Sequence, residues 1–373
     1  MEGRDAWLTL AHAHGLHAGR LQEWFAQGRP AVELPGATSA TLAALGLDAD
    51  TVASLQAPNR AALDRDRAWL DAAPNRSLVV WGADDYPPRL AQIPDAPLVL
   101  YVEGAIPALS TPQLAIVGSR NPTALGRDTA TSFARELGRA GLGITSGLAL
   151  GIDAAAHLGA LEAGATTVAV VGRGLDAVYP RENEPLARRI LAAGGALATD
   201  LPVGSPPLRH HFPRRNRILS GLAVGVLVVE AAEQSGSLIT ARLAAEQGRD
   251  VFAMPGSIHN AVARGCHRLL RQGARLVETV GDIFEELAGI CGDMHGLRAP
   301  SAPVVQSLQG PSLDKDYEIL LDALGFEPAS LDAIVARTRL DTGAVASMLL
   351  ILELDGRIQQ QPGGRYSRRL PGR

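Results

Sequence analysis

The segment His211-Phe-Pro-Arg-Arg-Asn-Arg217, followed by an apolar run and then by Gln234-Ser-Gly-Ser-Leu-Ile-Thr240, is the most informative part of this chain. Its first half sets arginines beside a phenylalanine, and its second half is a Gly/Ser turn that opens a helix. Cationic side chains, an aromatic ring and backbone N–H groups at a helix start are the groups that bind a flexible polyanion. No acidic residue lies between Asp200 and Glu230, although the formal net charge of the chain is −4. The region is therefore a candidate polyanion-binding surface.

Composition and length predict a globular protein of two or three domains. The chain has 373 residues, of which 46% are hydrophobic and 20% charged. The mildly acidic balance excludes a uniformly basic nucleic-acid coat but not a local basic patch. Lys315 is the only lysine, so arginine carries nearly all the positive charge. A guanidinium group binds phosphate bidentately and stacks on bases, which an ammonium group cannot do.

Cysteine usage and hydropathy predict a cytoplasmic protein. Cys266 and Cys291, the only cysteines, make neither a disulfide framework nor a zinc set. The N-terminus lacks the order of charged and apolar residues that marks a signal peptide. The longest apolar run, residues 221–229, is far too short to span a membrane, so no membrane insertion is expected.

Residues 1–75 are predicted to form an N-terminal helical domain, since apolar residues recur there at helical spacing. The break Leu34-Pro-Gly-Ala-Thr38 separates two helical stretches. This arrangement fits a SAM-like or helix-hairpin-helix-like module, and it also fits a simple packed bundle. The bundle is favoured over a DNA-binding hairpin because the turn lacks paired glycines and its flanks are not basic.

Residues 76–290 alternate between apolar, β-branched runs and alanine-rich helical stretches. The runs lie at residues 97–102, 114–117, 166–171, 223–229 and 250–253. This alternation predicts an α/β domain with a parallel sheet covered on both faces. Ligands of such sheets bind beyond the carboxyl ends of the strands, so functional residues are expected just after each strand.

The C-terminal part is predicted to contain a linker at residues 291–312 and a winged-helix domain at residues 313–373. Three helical stretches and a hairpin follow the Pro-rich linker. The third stretch, residues 341–354, contains no Arg or Lys, so we expect that it does not enter a major groove. The positive charge lies instead in the wing and tail, at Arg357, Arg365, Arg368, Arg369 and Arg373.

The run Ala115-Ile-Val-Gly-Ser-Arg-Asn121 is an apolar strand that ends in a candidate anion site. Gly118 allows a close approach, Ser119 can donate to an anion, and Arg120 projects over the same edge. An ordinary turn with a surface arginine has the same pattern. The dinucleotide fingerprint Gly-x-Gly-x-x-Gly is absent from this run.

The run Thr145-Ser-Gly-Leu-Ala-Leu-Gly-Ile-Asp-Ala-Ala-Ala-His157 is a second strand, turn and helix start. Asp153 and His157 stand four residues apart and so share a helix face, as half of a metal site would require. No further ligands converge in the sequence. We therefore interpret Asp153 as a favourable charge at a helix start and His157 as a packed, hydrogen-bonded side chain, and we expect no metal and no cofactor.

Two further turns follow strands. Val171-Gly-Arg-Gly-Leu-Asp176 supports a nucleotide-type crevice only weakly, whereas Ser235, Gly236 and Ser237 are predicted to form a nest of N–H groups suited to phosphate. In an enzyme, Glu230 or Glu233 would be the candidate general base, whereas here both are interpreted as orienting neighbouring arginines. The sequence contains no evident Ser/His/Asp or Cys/His arrangement and no Walker lysine. An anion crevice with so little catalytic equipment favours a binding protein over an enzyme, with no catalytic residue assigned.

The chain closely resembles the DNA-processing protein A (DprA/Smf) family. The resemblance is carried by six runs between residues 85 and 280: Tyr86-Pro-Pro-Arg-Leu90, Ile116-Val-Gly-Ser-Arg120, Ser146-Gly-Leu-Ala-Leu-Gly-Ile-Asp-Ala-Ala-Ala-His157, Phe212-Pro-Arg-Arg-Asn-Arg-Ile-Leu-Ser-Gly221, Val229-Glu-Ala-Ala-Glu-Gln-Ser-Gly-Ser-Leu-Ile-Thr-Ala241 and Gln247-Gly-Arg-Asp-Val-Phe-Ala-Met-Pro-Gly256. It implies an extended Rossmann fold that binds single-stranded DNA as a homodimer and loads RecA recombinase during natural transformation.

The resemblance also implies roles for individual residues. Arg120 resembles a phosphate-gripping arginine, Arg209 a basic pocket residue, and Phe212 a base-stacking ring. The full set expected to bind DNA is Gly118, Ser119, Arg120, Gly147, Arg209, Phe212, Arg214, Arg215, Arg217, Gly236 and Ser237.

The chain departs from the family pattern in two places. Thr199-Asp-Leu-Pro202 replaces a Ser-Glu-aromatic-Pro pattern, and His267 stands where an asparagine is usual. No role is assigned to His267. The rival interpretations are a lysine-decarboxylase-like nucleotide hydrolase, which would carry a Pro-Gly-Gly-x-Gly-Thr turn, and an NAD-dependent oxidoreductase, which would carry the full glycine fingerprint.

Overall fold

A computed structural model describes residues 2–13, 15–287, 315–324 and 328–369. The predicted linker at residues 291–312 lies outside the described residues. The chain divides into two compact units. The first contains the N-terminal helices and a large sheet, and the second contains the C-terminal domain.

The N-terminal part of the first unit is helical, as predicted. Its α-helices are α1 (Glu2–His12), α2 (Gln22–Ala26), α3 (Ser39–Ala44), α4 (Ala49–Gln56) and α5 (Arg60–Asp71). The starts of α3, α4 and α5 are capped by short polar side chains; for example, the Asp48 carboxylate accepts from the Thr51 N–H at 2.8 Å. One continuous core joins Leu8 and Trp24 of this part to Tyr101 of the sheet. The boundary between residues 75 and 76 therefore stays a prediction.

The rest of the first unit is a nine-stranded sheet with helices. Its strands are β1 (Arg76–Val80), β2 (Val99–Gly104), β3 (Gln113–Gly118), β4 (Gly143–Ser146), β5 (Thr167–Val170), β6 (Ala196–Thr199), β7 (Gly225–Val229), β8 (Asp250–Ala253) and β9 (Arg275–Leu276). Its helices are α6 (Pro88–Ala91), α7 (Ala124–Arg139), α8 (Ile152–Glu162), α9 (Glu184–Ala192), α10 (His211–Leu222), α11 (Ser237–Glu246), α12 (Arg264–Arg271) and α13 (Val280–Leu287). The strand order is β1-β2-β6-β5-β4-β3-β7-β8-β9.

The predicted parallel sheet is confirmed from β6 to β9, where every neighbouring pair is parallel. At the other edge β1 pairs antiparallel with β2, and β2 pairs antiparallel with β6. The reason lies in the connection between β1 and β2. It carries only the four-residue helix α6, whereas a parallel return is usually made by a full crossover helix.

Both faces of the sheet are covered, and β3 shows how. Leu114 and Ile116 belong to one core, which also contains Ile152 of α8, whereas Ala115 and Val117 belong to the other. Leu219 of α10 packs in that second core. Successive side chains of a strand point to opposite faces, so β3 is apolar throughout because both of its faces are buried.

The second unit contains α14 (Lys315–Leu324), β10 (Ala329–Ser330), α15 (Leu331–Thr338), α16 (Thr342–Leu354), β11 (Ile358–Gln361) and β12 (Arg365–Arg368). The three predicted helices and the hairpin are therefore confirmed, with β10 added against β12. Leu320, Ile334 and Leu349 bring one residue from each helix into a separate core. This is a winged-helix arrangement.

Across the part of the chain that the structure describes, no helix is both long and apolar enough to cross a membrane.

Candidate functional site

A cleft of about 710 Å³ opens beyond the carboxyl ends of β3 and β7, where the sequence predicted a site. It is lined by residues from the ends of these strands, from the loop before α10, and from the first turns of α10 and α11. The lining residues are Val117, Gly118, Arg120, Ala149, Asp153, Tyr179, Pro207, Arg209, Phe212, Pro213, Arg215, Asn216, Leu219, Ser235, Gly236, Ser237, Ile239 and Thr240. The predicted residues Gly118, Arg120, Arg209, Phe212, Arg215, Gly236 and Ser237 are thus brought together.

Gly118 ends β3 at a point where no side chain fits. A Cβ atom there would lie 1.9 Å from the carbonyl oxygen of Val229 on the neighbouring strand. The next residue, Ser119, closes the turn: its N–H donates to the Glu230 carbonyl at 2.6 Å, and its hydroxyl accepts from the Asn121 N–H at 3.1 Å. Ser119 therefore supports the edge of the cleft and is not among its lining residues.

Arg120, Phe212 and Tyr179 form the mouth of the cleft. The Arg120 guanidinium carbon lies 5.5 Å from the centre of the Phe212 ring, within the range of a cation–π contact. The Tyr179 ring centre lies 5.9 Å from that of Phe212, with the rings tilted by 47°. Arg120 is exposed, and within the described residues no carboxylate forms a salt bridge with it. An aromatic platform with an unneutralised cation beside it suits a base and its phosphate.

Arg215 and Asp153 form the floor of the cleft. The Arg215 guanidinium donates to the carbonyl oxygens of Gly147, at 2.9 Å, and of Val170. Burial lowers its pKa to about 10, so it remains charged at neutral pH. The Asp153 carboxylate accepts from the N–H groups of Gly147 and Ala149, at 3.1 and 3.3 Å. Gly147 therefore links the two charges and does not itself line the cleft.

Burial raises the pKa of Asp153, and the nearby Arg215 opposes that rise. The sequence interpretation of Asp153 as a charge in the first turn of α8 agrees with its place in that helix. His157 is buried and hydrogen-bonded, as interpreted from the sequence: its Nδ1 lies 2.7 Å from the Thr167 hydroxyl. Burial lowers the pKa of His157 to about 3, so the imidazole is neutral. In the described parts of the chain, no cluster of three or more His, Cys, Asp or Glu could hold a metal ion.

The turn at residues 235–237 differs from the predicted nest of free N–H groups. The Ser235, Leu238 and Ile239 N–H groups donate to carbonyls within the turn, and that of Ser237 donates to the Ser235 hydroxyl. The prediction overlooked the tight first turn of α11, which satisfies these donors internally. The Gly236 N–H donates to no described residue, so this N–H and the two serine hydroxyls, 2.7 Å apart, are the polar groups that the turn brings to the cleft lining.

Arg214 and Arg217 do not line the cleft, in contrast to Arg215. Both donate to the buried Asp200 carboxylate, Arg214 at 3.1 Å and Arg217 at 2.6 Å. Arg217 also donates to the Asp95 carbonyl. The strongly positive field predicted for this segment is therefore partly neutralised, because the fold places carboxylates from earlier in the chain next to these arginines.

Sequence reasoning missed Tyr179, Asn216 and Thr240 in the lining. Asn216 and Leu219 were recoverable from the helical spacing of Phe212, since residues at i, i+4 and i+7 share a face. Tyr179 lies in a long loop after β5, where no helical spacing relates it to Phe212.

Two non-glycine residues at this edge have left-handed backbone conformations. Leu148 follows β4 with φ 57°, and Glu230 follows β7 with φ 51°. Such conformations cost about 1–3 kcal/mol and cluster at functional sites. Their position therefore agrees with the location of the cleft.

The chain matches known proteins over most of its length. A family model for DNA recombination-mediator protein A matches residues 77–288, and one for the DprA winged helix domain matches residues 305–364. Protein Smf of Escherichia coli (strain K12) is 43% identical over 308 residues, which cover 82% of this chain and 80% of that protein.

Two solved structures are also similar to this chain. DNA processing protein A from Streptococcus pneumoniae has a TM-score of 0.65 at 35% identity, covering 74% of this chain and 95% of that one. DNA processing protein A from Helicobacter pylori, whose structure concerns its single-stranded DNA binding mode, has a TM-score of 0.52 at 28% identity, covering 58% and 96%. From the family models and these relatives together, the chain belongs to the DNA recombination-mediator protein A family, the DprA/Smf proteins.

Proposed function

We propose that this protein binds single-stranded DNA in the cleft without sequence preference. Arg120, Arg209 and Arg215 contact phosphates, and Phe212 stacks a base. The observation that carries this proposal is the exposed Arg120 placed 5.5 Å from the ring centre of Phe212 at the mouth of an open cleft. A ring binds any base by its face, so the interaction does not depend on sequence.

The same geometry favours a single strand over a duplex. A paired base is held inside the helical stack and cannot lie on a ring within a cleft, whereas an unpaired base can be turned outward. The binding of single-stranded DNA by the Helicobacter pylori relative supports this assignment. The proposal assigns binding and no catalytic step.

We further propose that the protein acts as a homodimer that protects incoming DNA and loads RecA recombinase during natural transformation. This finer role is supported by membership of the family and by the names of relatives such as the DNA processing proteins DprA of Streptococcus pneumoniae and Bacillus subtilis. Its test is the rate at which RecA assembles on a labelled strand, measured with and without this protein. An unchanged rate would contradict the loading role.

Fluorescence anisotropy of a labelled single strand, titrated across a salt series with duplex as competitor, tests the binding proposal. We expect tight binding that resists the duplex, with log K falling by about 0.7 per unit of log salt for each phosphate neutralised. Arg120→Ala should weaken binding about tenfold and reduce the slope by about one contact, because a charge-assisted phosphate contact is lost.

Arg188→Ala is the matched control. Arg188 is 71% exposed on α9, paired only with Glu184 among the described residues, and it does not line the cleft. Its loss should leave both affinity and slope unchanged. Equal behaviour of the two variants would contradict the cleft assignment. Absence of binding at low salt would mean that the cleft holds a small anion, and release of base from a nucleoside monophosphate would then be assayed.

The winged-helix domain is expected to contact protein or, weakly, the DNA backbone, but not a major groove. Its third helix α16 carries no Arg or Lys and exposes apolar side chains, with Leu350 59%, Ile351 45% and Leu354 79% exposed. Isolated residues 313–373 should therefore bind duplex no tighter than the non-specific range of about 10⁻⁴ to 10⁻⁶ M at physiological salt. Anisotropy with a labelled duplex measures this, and clearly tighter binding would contradict it.

A further inference from the structure

A second cavity, of about 470 Å³, lies between the N-terminal helices and the segment that follows β6. Helices α1 and α5 line one side, and residues 201–214 line the other. Its titratable and charged side chains are His12, Arg65, His210, His211 and Arg214. No Asp or Glu is among the described residues that line it. A cavity whose charged and titratable side chains are all cationic or protonatable is suited to an anion.

The carboxylates that contact residues of the wall have partners of their own. Asp176 accepts from the Gly204 N–H at 2.8 Å and forms a salt bridge with Arg173. Asp66, which is 0% exposed, accepts from the Tyr101 hydroxyl at 2.6 Å and the Val203 N–H at 3.0 Å. His12 Nε2 completes this set at 2.7 Å. Asp200 is similarly occupied by Arg214 and Arg217. Arg65, in contrast, is exposed and forms no salt bridge with a described residue. Arg65 therefore gives the cavity a positive potential that no described carboxylate neutralises through a salt bridge.

His211 adds to that potential when its ring is protonated. His211 Nδ1 donates to the Pro206 carbonyl at 2.9 Å, which leaves Nε2 for another partner. The His210 ring lies against it, with centres 4.5 Å apart. Burial lowers the pKa of His211, and His210 and Arg214 lower it further, while the Pro206 carbonyl and Asp200 raise it. An arriving phosphate favours the protonated ring, so it would raise this pKa.

One continuous segment forms a wall of both cavities. Pro207, Arg209 and Phe212 line the cleft, whereas Leu208, His210, His211 and Arg214 line the second cavity. A residue spans at most about 3.6 Å of extended chain, and a stacked nucleotide spans about 3.4 Å along its strand. A strand held at Phe212 therefore reaches the second cavity within a few nucleotides.

We propose that His12, Arg65, His210, His211 and Arg214 form a second phosphate-binding pocket for the strand that occupies the cleft. This inference rests on the proposed function, because it takes the ligand to be the backbone of that same strand. The cleft supplies stacking and phosphate contacts, and the second pocket adds further phosphate contacts. The pocket thereby extends the bound length of the strand without reading its sequence.

The test compares a short oligonucleotide, which fills only the cleft, with a longer one that reaches both cavities. The variant combines Arg65→Gln with His210→Gln, because both side chains are exposed and can be changed without disturbing the core. Arg188→Gln, which changes an exposed arginine that lines neither cavity, is the matched control. We expect the double variant to bind the long strand about tenfold more weakly, with a slope reduced by about 0.7 per lost phosphate contact, and to bind the short strand as the wild type does.

A pH series provides a second readout. Affinity for the long strand should rise as the pH falls below the ordinary histidine pKa of about 6.5, because burial lowers the pKa of His211 and phosphate favours its protonated ring. His210→Gln combined with His211→Gln should flatten this dependence. The short strand serves as the reference, since no histidine is among the described residues that line the cleft.

Four outcomes would overturn the inference. If the double variant binds the long strand as the wild type does, the second pocket is contradicted. Binding of the short strand, and with it the proposed function, would not be affected by that result. Equally weakened binding of both strands would mean that Arg65 and His210 contribute to binding in the cleft and not in a separate pocket. Inorganic phosphate that abolishes the extra affinity for the long strand at low concentration would identify the ligand as a free anion. Failure of the wild type to bind either strand would overturn the proposed function, and the inference with it.

Discussion

Phe212→Ala should weaken the binding of single-stranded DNA by about 1–3 kcal/mol, or about 5- to 150-fold, for each base that the ring stacks. Phe212 stands in the first turn of α10, only half buried, beside Arg120 and Tyr179. Removing the ring takes away the face that contacts the Arg120 guanidinium and that is proposed to stack a base. The free energy of unfolding should change little, because the ring is outside both apolar cores.

Two further substitutions, one that keeps the aromatic ring and one that keeps only apolar bulk, distinguish stacking from simple apolar contact. Phe212→Tyr keeps the ring and should retain most of the affinity, whereas Phe212→Leu keeps the apolar bulk and should lose most of it. The salt slope should stay unchanged in all three variants, since a ring neutralises no phosphate. Anisotropy titrations across the salt series measure both quantities. If Phe212→Leu binds the strand as tightly as the wild type does, the stacking role is contradicted and the cleft is a purely electrostatic site.

The fold was predictable where local pattern and tertiary environment agree. Runs rich in β-branched residues, such as those that became β5 and β7, were recognised because burial on both faces makes such strands apolar throughout. Strand β6 was not recognised. Its sequence, Ala196-Leu-Ala-Thr199, favours helix by intrinsic propensity, and its four buried residues are held as a strand by β2 and β5.

The location of the candidate site at the strand ends was predictable from the sequence. Which of its arginines are paired with carboxylates was not. The sequence run of three arginines looks like one basic cluster, yet α10 turns them to different sides. Arg215 lies on the face of Phe212 and Asn216, whereas Arg214 and Arg217 lie on a face that meets Asp200. Helical spacing could have separated the two faces. The pairing with a carboxylate from another strand end is a tertiary contact that no local pattern predicts.

That pairing leads to the largest expected effect on stability. Asp200→Ala should lower the free energy of unfolding by about 3 kcal/mol, because Arg214 and the buried Arg217 lose their nearest carboxylate and Arg217 retains only the longer pair with Asp95, at 3.5 Å, among the described carboxylates. The Asp200 side chain is 3% exposed and that of Arg217 is 9% exposed, so water cannot replace the lost carboxylate. Glu184→Ala, which breaks the exposed pair with Arg188, is the control and should cost no more than about 0.5 kcal/mol. Urea denaturation of both variants measures the difference.

The effect of Asp200→Ala should extend to DNA binding even where the variant remains folded. Asp200 joins the end of β6 to Arg214 and Arg217, which are two and five residues beyond Phe212 on the same helix. Without that anchor the first turn of α10 loses its fixed position, and Phe212 and Arg215 are no longer held together at the cleft. Arg217→Met, which removes the charge together with its need for a partner, should restore part of the stability when combined with Asp200→Ala, since an apolar replacement of a buried ion pair is often neutral. If the double variant is as unstable as Asp200→Ala alone, the loss does not come from the unpaired guanidinium, and the ionic anchor is not what positions α10.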